Sequence, residues 1–305
     1  MYFLKRILFL APLLVLISFL SFALVRMAPG GPFDRERKPA SALIEKRIRA
    51  KYHLDEPLWR QYGIYLDGLL HGDFGPSLKQ RNHSVNEIIA QGLPISMTLG
   101  WVAFCFAVGL GIPLGFLTSI RRGRMIEFAG TLFALLLICV PALVVGPVLI
   151  LWLAIKLNWF PVALWGGPEH VVLPVVTLGL YFAGRVSRLM REGFLEVLRA
   201  EYITTARAKG LSEAAVFWRH AFRPAVLPVI SYAGPLLADL LTGSFVVESL
   251  FQIPGIGVFL VNGSLNRDYT LIVGLVILYA AMLLVLNLLV DFAYGWLDPR
   301  VRLAS

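Results

Sequence analysis

Apolar residues along this chain gather into six long runs separated by shorter polar stretches. The first extends from about Ile7 to Val25, after Lys5 and Arg6, and the second from about Ile95 to Ile120, stopping at Arg121, Arg122 and Arg124. The third extends from about Ile126 to Ile155, with Pro141 and Pro147 inside it. The fourth covers about Val171 to Leu189, the fifth Val226 to Leu250 and the sixth Leu271 to Leu289. Runs of this length with few charges predict helices that cross a bilayer, whose core takes about 20 apolar residues to span. The first run is also compatible with a signal peptide. It is longer than a signal core, and Arg26 and Pro29-Gly30-Gly31-Pro32 follow it where a small-residue cleavage site would be needed. A retained helix is therefore expected.

Composition sharpens this picture. The 305 residues are 58% hydrophobic and 15% charged, and the mean hydropathy is +0.74. Polar groups cannot cover such a chain in water, so a polytopic membrane protein is expected. A net charge of +9 would point to nucleic acid in a soluble protein. Here it is explained by short basic segments that hold loops on the cytoplasmic side, and no nucleic-acid partner is expected. Lys5/Arg6, Arg121/Arg122/Arg124 and Arg300/Arg302 fall on one face of a six-span chain. A basic loop carrying Arg185, Arg188, Arg191, Arg199, Arg207, Lys209, Arg219 and Arg223 falls on the same face. Both termini are therefore expected in the cytoplasm. Cys105 and Cys139 lie in apolar runs and read as small core residues, with no disulfide or metal framework.

Three regions follow: an N-terminal span at 1–28, an external cap at 29–93, and a five-helix core at 94–305 with a cytoplasmic loop at 192–225. In the cap, Leu43, Ile44, Ile48 and Tyr52 recur at helical spacing within Ser41 to His53. Trp59, Tyr62, Tyr65, Leu66, Leu69 and Leu70 make a second stripe, followed by a turn at His71-Gly72-Asp73-Phe74-Gly75-Pro76. His53, His71 and Asp73 lack an accompanying nucleophile and base, which argues against a peptide-processing site. Gly111 and Gly115, with Gly179, Ala183 and Gly184, predict close helix packing. Trp152, Trp159 and Trp296 fit interfacial belts.

The segment Glu201 to Pro228 is long and charged for a membrane-protein loop, and it carries helix signals. Lys209 can close one short helix, and Gly210 suits the left-handed position after it. Ser212 can cap the next helix, with Glu213 favourable in its first turn. The stretch reads as a docking element, with a plain solvated loop as the alternative. No phosphate-cradling G-x-x-x-x-G-K-[ST] and no metal-ligand cluster occur in the chain, so an ATP-hydrolysing engine would be a separate subunit. Asp239, Glu248 and Asp291 lie in or near spans, where ionisable groups are costly and usually face a cavity or a partner. Asp239 is the deepest and is a candidate for lining a path. Glu248 can equally close a hydrogen-bond network by Pro254-Gly255, and Asp291 can pair with an arginine.

Tyr202-Ile203, Thr205-Ala206-Arg207-Ala208-Lys209-Gly210-Leu211-Ser212, Arg219-His220-Ala221 and Leu227-Pro228 together resemble the coupling loop of peptide-type ABC importer permeases. The resemblance extends over nearly the whole chain. It includes Ala28-Pro29-Gly30, His71 to Ser77, Glu248 before Pro254-Gly255-Ile256-Gly257, Asn266-Arg267-Asp268-Tyr269 and Asp298-Pro299-Arg300. The large loop after the first span is similar to the B-type permease of oligopeptide importers. Thr204-Thr205-Ala206 stands where the broader superfamily has E-A-A, and Leu227-Pro228 lies five residues late, a displacement the peptide subfamily shares.

The resemblance implies an all-α, six-helix type I importer permease of a bacterial inner membrane. It implies a second homologous permease, two ATP-binding subunits that carry ATP and Mg, and an external substrate-binding protein as partners, in addition to the lipid membrane. It implies no cofactor on this chain and no enzyme activity. ATPase coupling would rest on Glu201, Tyr202, Thr205, Ala206, Arg207, Ala208, Lys209, Gly210, Leu211 and Ser212. In that reading Ala206, Ala208 and Gly210 let a partner approach closely, and Arg207, Lys209, Arg219 and Arg223 can pair with its carboxylates. Candidates for the translocation path or gate are Asp239, Glu248, Asn262 and Asn266. The competing class is an ion-coupled secondary transporter with Asp239 as its proton site. An intramembrane enzyme is a third class, disfavoured by the missing nucleophile pair.

Overall fold

The computed structural model describes residues 2–27, 55–80, 83–120, 123–242 and 245–297. The Ser41–His53 stripe, Arg121/Arg122, and the Ala28-Pro29-Gly30 and Asp298-Pro299-Arg300 motifs lie outside the described residues, as do the side chains of Asp291 and Trp296. The described residues are helical, with one isolated antiparallel bridge between Pro76 and Ser84. Five helices are long and apolar enough to cross a membrane, or six if one bent pair counts as a single span.

The chain forms two compact units. One joins the N-terminal stretch through Ile95 with Pro254–Leu284. Its helices are α1 (Tyr2–Met27), α2 (Leu58–Leu70) and the first turns of α3 (Val85–Ile120). After the chain returns, it adds α11 (Ile256–Asn266) and most of α12 (Tyr269–Leu297). Val85, Ile88 and Ile89 of α3 pack on Ile256, Leu271 and Leu275. The expected stripe on α2 packs in part: Tyr62, Tyr65 and Leu69 lie against Phe22, Val273 and Ile277, while Trp59 and Leu70 at its two ends are exposed. The turn after α2 needs glycine twice, at Gly72 (φ +76°) and Gly75 (φ +85°). Asn86 ties it down, accepting from the Phe74 N–H at 2.9 Å and donating to the Gly72 carbonyl at 2.6 Å. Asp73 accepts from the Gly75 N–H at 2.8 Å and His71 meets the Asp67 carbonyl, so both serve the turn.

The other unit, Ser96–Ile253 with Val285–Ser305, holds the rest of α3 and the helices that follow it. The third apolar run is two helices, α4 (Met125–Cys139) and α5 (Ala142–Leu149, continuing as a π-helix over Ile150–Lys156), bent by 102°. Pro141 causes the break. It cannot donate to the helix before it, and it disfavours helical geometry at Val140, which is extended (ψ 118°).

The fourth run is much longer than expected. α6 spans Pro168–Val197, 30 residues, and carries Arg185, Arg188 and Arg191 on a helix rather than in a loop. The arginines hide the continuation because they share one exposed side. The opposite side, with Ala183, Val186, Ser187, Met190, Gly193 and Phe194, is buried at the i, i+3, i+4 spacing of a packed helix. The small residues do what their spacing suggests. A Cβ on Gly111 would come within 2.7 Å of the Ala183 carbonyl, and one on Gly184 within 2.7 Å of the Ala134 carbonyl. α6 is thus held tightly between α3 and α4 by backbone approach.

The fifth run forms α9 (Leu227–Thr242) and α10 (Phe245–Leu250). Phe9, Trp101, Phe128, Leu143, Trp152, Trp159 and Leu289 are exposed, which is stable only where lipid or another apolar chain is the solvent. Cys105 and Cys139 belong to this exposed surface, correcting the expectation of core positions. An apolar run does not say which of its faces turns inward.

Candidate functional site

The corner after α6 is built from α7 (Glu201–Ala208) and α8 (Glu213–Ala215). The chain continues from α8 through a π-helical turn, Val216–Ala221, and a last helical turn, Phe222–Ala225, into α9. α7 ends as its sequence suggests. Lys209 is its C-cap, and Gly210 follows in the left-handed region at φ +78°. The Gly210 N–H donates to the Arg207 carbonyl at 2.9 Å and the Leu211 N–H to the Ala206 carbonyl at 3.4 Å. These are the two bonds of a Schellman stop. Ser212 then caps α8, its hydroxyl accepting from the Ala215 N–H at 3.3 Å. A side chain at Gly210 would meet nothing within 4 Å, so backbone conformation alone calls for glycine.

Charges reinforce the bend. Arg207 reaches back across Gly210 to Glu213 in a two-pronged pair, Nε to Oε1 at 2.9 Å and Nη2 to Oε2 at 3.2 Å. The sequence suggests a partner's carboxylate for Arg207, and the structure supplies one within the corner. Both side chains are substantially exposed, so the pair adds at most about 1 kcal/mol. Of the ten candidate coupling residues, nine present an exposed surface: Glu201, Tyr202, Thr205, Arg207, Ala208, Lys209, Gly210, Leu211 and Ser212. Thr205 spends its hydroxyl on the Glu201 carbonyl at 3.0 Å. Partial desolvation raises the Tyr202 hydroxyl above the ordinary tyrosine value. Ala206 departs from its expected role. It is buried with Ile203, so its smallness serves packing within the chain rather than a partner's approach.

Sequence reasoning missed what anchors the corner. The π-helical turn widens the backbone and sends Phe217 and Trp218 into an aromatic cluster with Phe116 of α3, Phe194 of α6 and Phe222. Ring centroids are 5.1 Å apart for Phe116–Phe194 and 5.2 Å for Trp218–Phe222, within the range of favourable ring pairs. Phe217, Trp218 and Phe222, so many rings in a loop, were the available signal. Glu127 of α4 adds a partly buried pair with Arg191 of α6 at 2.5 Å. The rings therefore clamp the corner to α3 and α6, and the ion pair ties α6 to α4.

The intramembrane candidates separate. Asp239 is exposed on α9 and makes no hydrogen bond or ion pair among the described residues. Glu248 of α10 is 1% exposed and accepts from the Ser96 hydroxyl at 2.7 Å. Its carbonyl accepts from the Ile253 N–H at 2.8 Å, closing the end of α10. That is the network role weighed for it from the sequence. Asn262 and Asn266 are exposed on α11, the Asn266 amide donating to the Asn262 carbonyl at 2.8 Å.

A buried carboxylate that sequence reasoning did not single out is Asp268, 1% exposed at the start of α12. It accepts from the Ser77 hydroxyl and from the backbone N–H groups of Leu78 at 3.1 Å and Leu271 at 3.3 Å. Two motifs far apart in sequence, the His71–Ser77 turn and Asn266 to Tyr269, are thus halves of one joint.

Comparison with known proteins fits this architecture. Residues 111–303 match the family described as binding-protein-dependent transport system inner membrane component. The chain is 43% identical over 300 residues to the oligopeptide transport system permease protein OppB of Haemophilus influenzae, covering 98% of each. It is 41% identical to the dipeptide transport system permease protein DppB of Bacillus subtilis, covering 99% of this chain and 98% of the relative. An inward-facing structure of the MetNI methionine ABC transporter superposes with a TM-score of 0.60 at 14% identity, over 69% of this chain and 96% of the other. That likeness places the fold among type I ABC importer permeases. From the corner, the packed helices and these matches together, the chain belongs to the family of binding-protein-dependent transport system inner membrane components.

Proposed function

We propose that this chain is a permease subunit that moves oligopeptides across the bacterial cytoplasmic membrane in an ATP-driven importer. The observation that carries the proposal is its 43% identity, over 98% of both chains, to a permease named for oligopeptide transport. In this reading it pairs with a second homologous permease. Two ATPase subunits hold ATP and Mg, and an external binding protein delivers the peptide. The membrane orientation is the one its basic segments favour, with both termini and the α7–α8 corner on the cytoplasmic side.

The physics of coupling is that of a lever. A corner stopped by a Schellman motif, capped by Ser212 and clamped by aromatic rings transmits a push, where a mobile loop would absorb it. When the ATPases close on ATP, the exposed residues of α7, with Lys209 to Ser212, would carry that motion into α6 and α9. The bundle then reorients by alternating access. Asp239, exposed and unpaired among the described residues, fits a position on the path or against the second permease better than one facing lipid.

The test is reconstitution of the four-component importer with its binding protein in proteoliposomes. Uptake of a labelled tripeptide should require ATP and persist when proton and sodium gradients are collapsed. Uptake that follows an ion gradient and ignores ATP would establish the secondary-transporter alternative instead. Asp239→Asn separates two roles for that acid. Near-normal uptake means it satisfies a hydrogen bond, and a fall for all peptides with ATP hydrolysis intact means it meets the substrate's ammonium end.

A further inference from the structure

α6 carries three arginines on its exposed side, and they are not equivalent. Arg188 pairs with Glu192 at 2.8 Å and Arg191 with Glu127 at 2.5 Å. Arg185, the one farthest from the corner, has no carboxylate among the described residues. Its guanidinium lies instead between two aromatic rings, 5.7 Å from the Tyr181 ring centre and 5.2 Å from that of Tyr232 on α9. Its hydrogen bond to the Tyr181 hydroxyl is a long one, 3.4 Å. Cation–π contacts hold a guanidinium in place without consuming its N–H donors, of which arginine has five.

Arg185 stands about three turns before the end of α6, or roughly 18 Å along the axis. It lies within the candidate membrane span Pro168–Val197, and an unpaired cation within a span is costly and marks a path or a partner. On the neighbouring helix Asp239 is exposed with no ion pair of its own among the described residues, two turns after Tyr232 on the same side of α9. Among the described residues, Arg185 thus has no carboxylate partner and Asp239 no cation partner, and the two are not paired with each other.

We propose that Arg185 lines the translocation path and takes the C-terminal carboxylate of the peptide as it passes. This rests on the reading of the chain as a peptide importer permease. A transporter of varied sequences can rely on few constant features, and a free carboxylate is one of them. The planar guanidinium fork matches a carboxylate with two parallel hydrogen bonds. Asp239 nearby keeps the site from becoming a net positive trap, since a pathway must bind weakly enough to release. A lipid phosphate could also meet a guanidinium. Arg188 and Arg191, nearer the headgroup end of α6, would reach one first, yet both are neutralised within the chain.

The experiment uses the complete importer in proteoliposomes, with binding protein preloaded and saturating, so that the permease step is rate-determining. The substrates are one tripeptide as the free acid and as its C-terminal amide. The wild type should move the acid at least about tenfold faster per ATP than the amide, the factor expected from one charge-assisted hydrogen bond. Arg185→Gln should move the two at the same rate, and Arg185→Lys should keep a reduced preference, with ATPase stimulation by loaded binding protein unchanged in both. If Arg185→Gln does not assemble, the acid-to-amide ratio of Arg185→Lys decides. A ratio below wild type supports the proposal, and an unchanged ratio overturns it. Equal wild-type rates for acid and amide also overturn it. So does an Arg185→Gln defect that treats both peptides alike and appears only in vesicles containing phosphatidylglycerol, which would assign the guanidinium to lipid. No ATP-dependent uptake of either peptide by wild type would instead refute the importer reading itself.

Discussion

Replacing Gly210 tests the lever directly, because the structure separates backbone cost from steric cost at this position. With φ at +78° and nothing within 4 Å of where a methyl group would stand, Gly210→Ala introduces conformational strain and no clash. That strain is about 1–2 kcal/mol for an L-residue held left-handed. Gly210→Asp adds a negative charge at the negative end of α7, worth roughly a further 0.3–1 kcal/mol. A total of about 2 kcal/mol shifts the balance between formed and opened corner by about thirtyfold. Gly210→Asn should fall closest to wild type, since asparagine tolerates this region. The assay is peptide transported per ATP hydrolysed in proteoliposomes, with amide exchange at Leu211 reporting whether its bond to the Ala206 carbonyl still forms. Coupling should decline in the order Gly, Asn, Ala, Asp, with faster exchange at Leu211 and unchanged membrane expression. Wild-type coupling in the Asp variant, or Asn performing no better than Ala, would refute the argument that a left-handed stop holds the lever.

Three further outcomes are expected. Asp268→Ala removes the buried acceptor for the Ser77 hydroxyl and the Leu78 and Leu271 N–H groups, and should lower stability by roughly 2–4 kcal/mol; an unchanged thermal midpoint in detergent would show that the joint is dispensable. Gly115→Val places a side chain whose Cβ would be 2.7 Å from that of Met190, and should cost about 1–3 kcal/mol, whereas Gly109→Ala on the same helix has open space and should be neutral; comparable yields of folded protein from the two would contradict the close-packing account. A single cysteine at Lys79 should react with an impermeant maleimide added outside intact cells and one at Ser212 should not, and external labelling at Ser212 would reverse the orientation.

The corner was the most legible part of the molecule because its information is local. Lys209, Gly210, Ser212 and Glu213 each act within a turn or two of themselves, so residue type and spacing suffice to place a stop and a cap. The number of apolar runs was legible for a similar reason, since span length is set by the bilayer rather than by neighbours. What sequence concealed depends on partners distant in the chain. Arg185, Arg188 and Arg191 look like the start of a loop until the buried stripe on the other side of α6 is seen to continue past them. Pro141 announces an interruption but not a bend of 102°. Asp268 reads as one member of a short polar motif, and only the fold brings it to Ser77. The size of Ala206 suggests an outward position, yet facing is decided by the packing of α7 as a whole.

The same contrast explains why the arginines of α6 can divide their work. Arg191 is held by Glu127, which comes from α4, while Arg188 is held by Glu192 one turn away. Both neutralisations cost the helix little, because one partner is brought by tertiary packing and the other by helical spacing. Arg185 lacks either provision, and Asp239 on the facing helix makes no ion pair with it. An isolated chain gains nothing from leaving opposite charges unpaired within its spans. A chain whose exposed face must admit a zwitterion does, because each charge kept apart is available to one end of the cargo. The separation of Arg185 from Asp239 is thus the feature of this face that a purely structural role explains least.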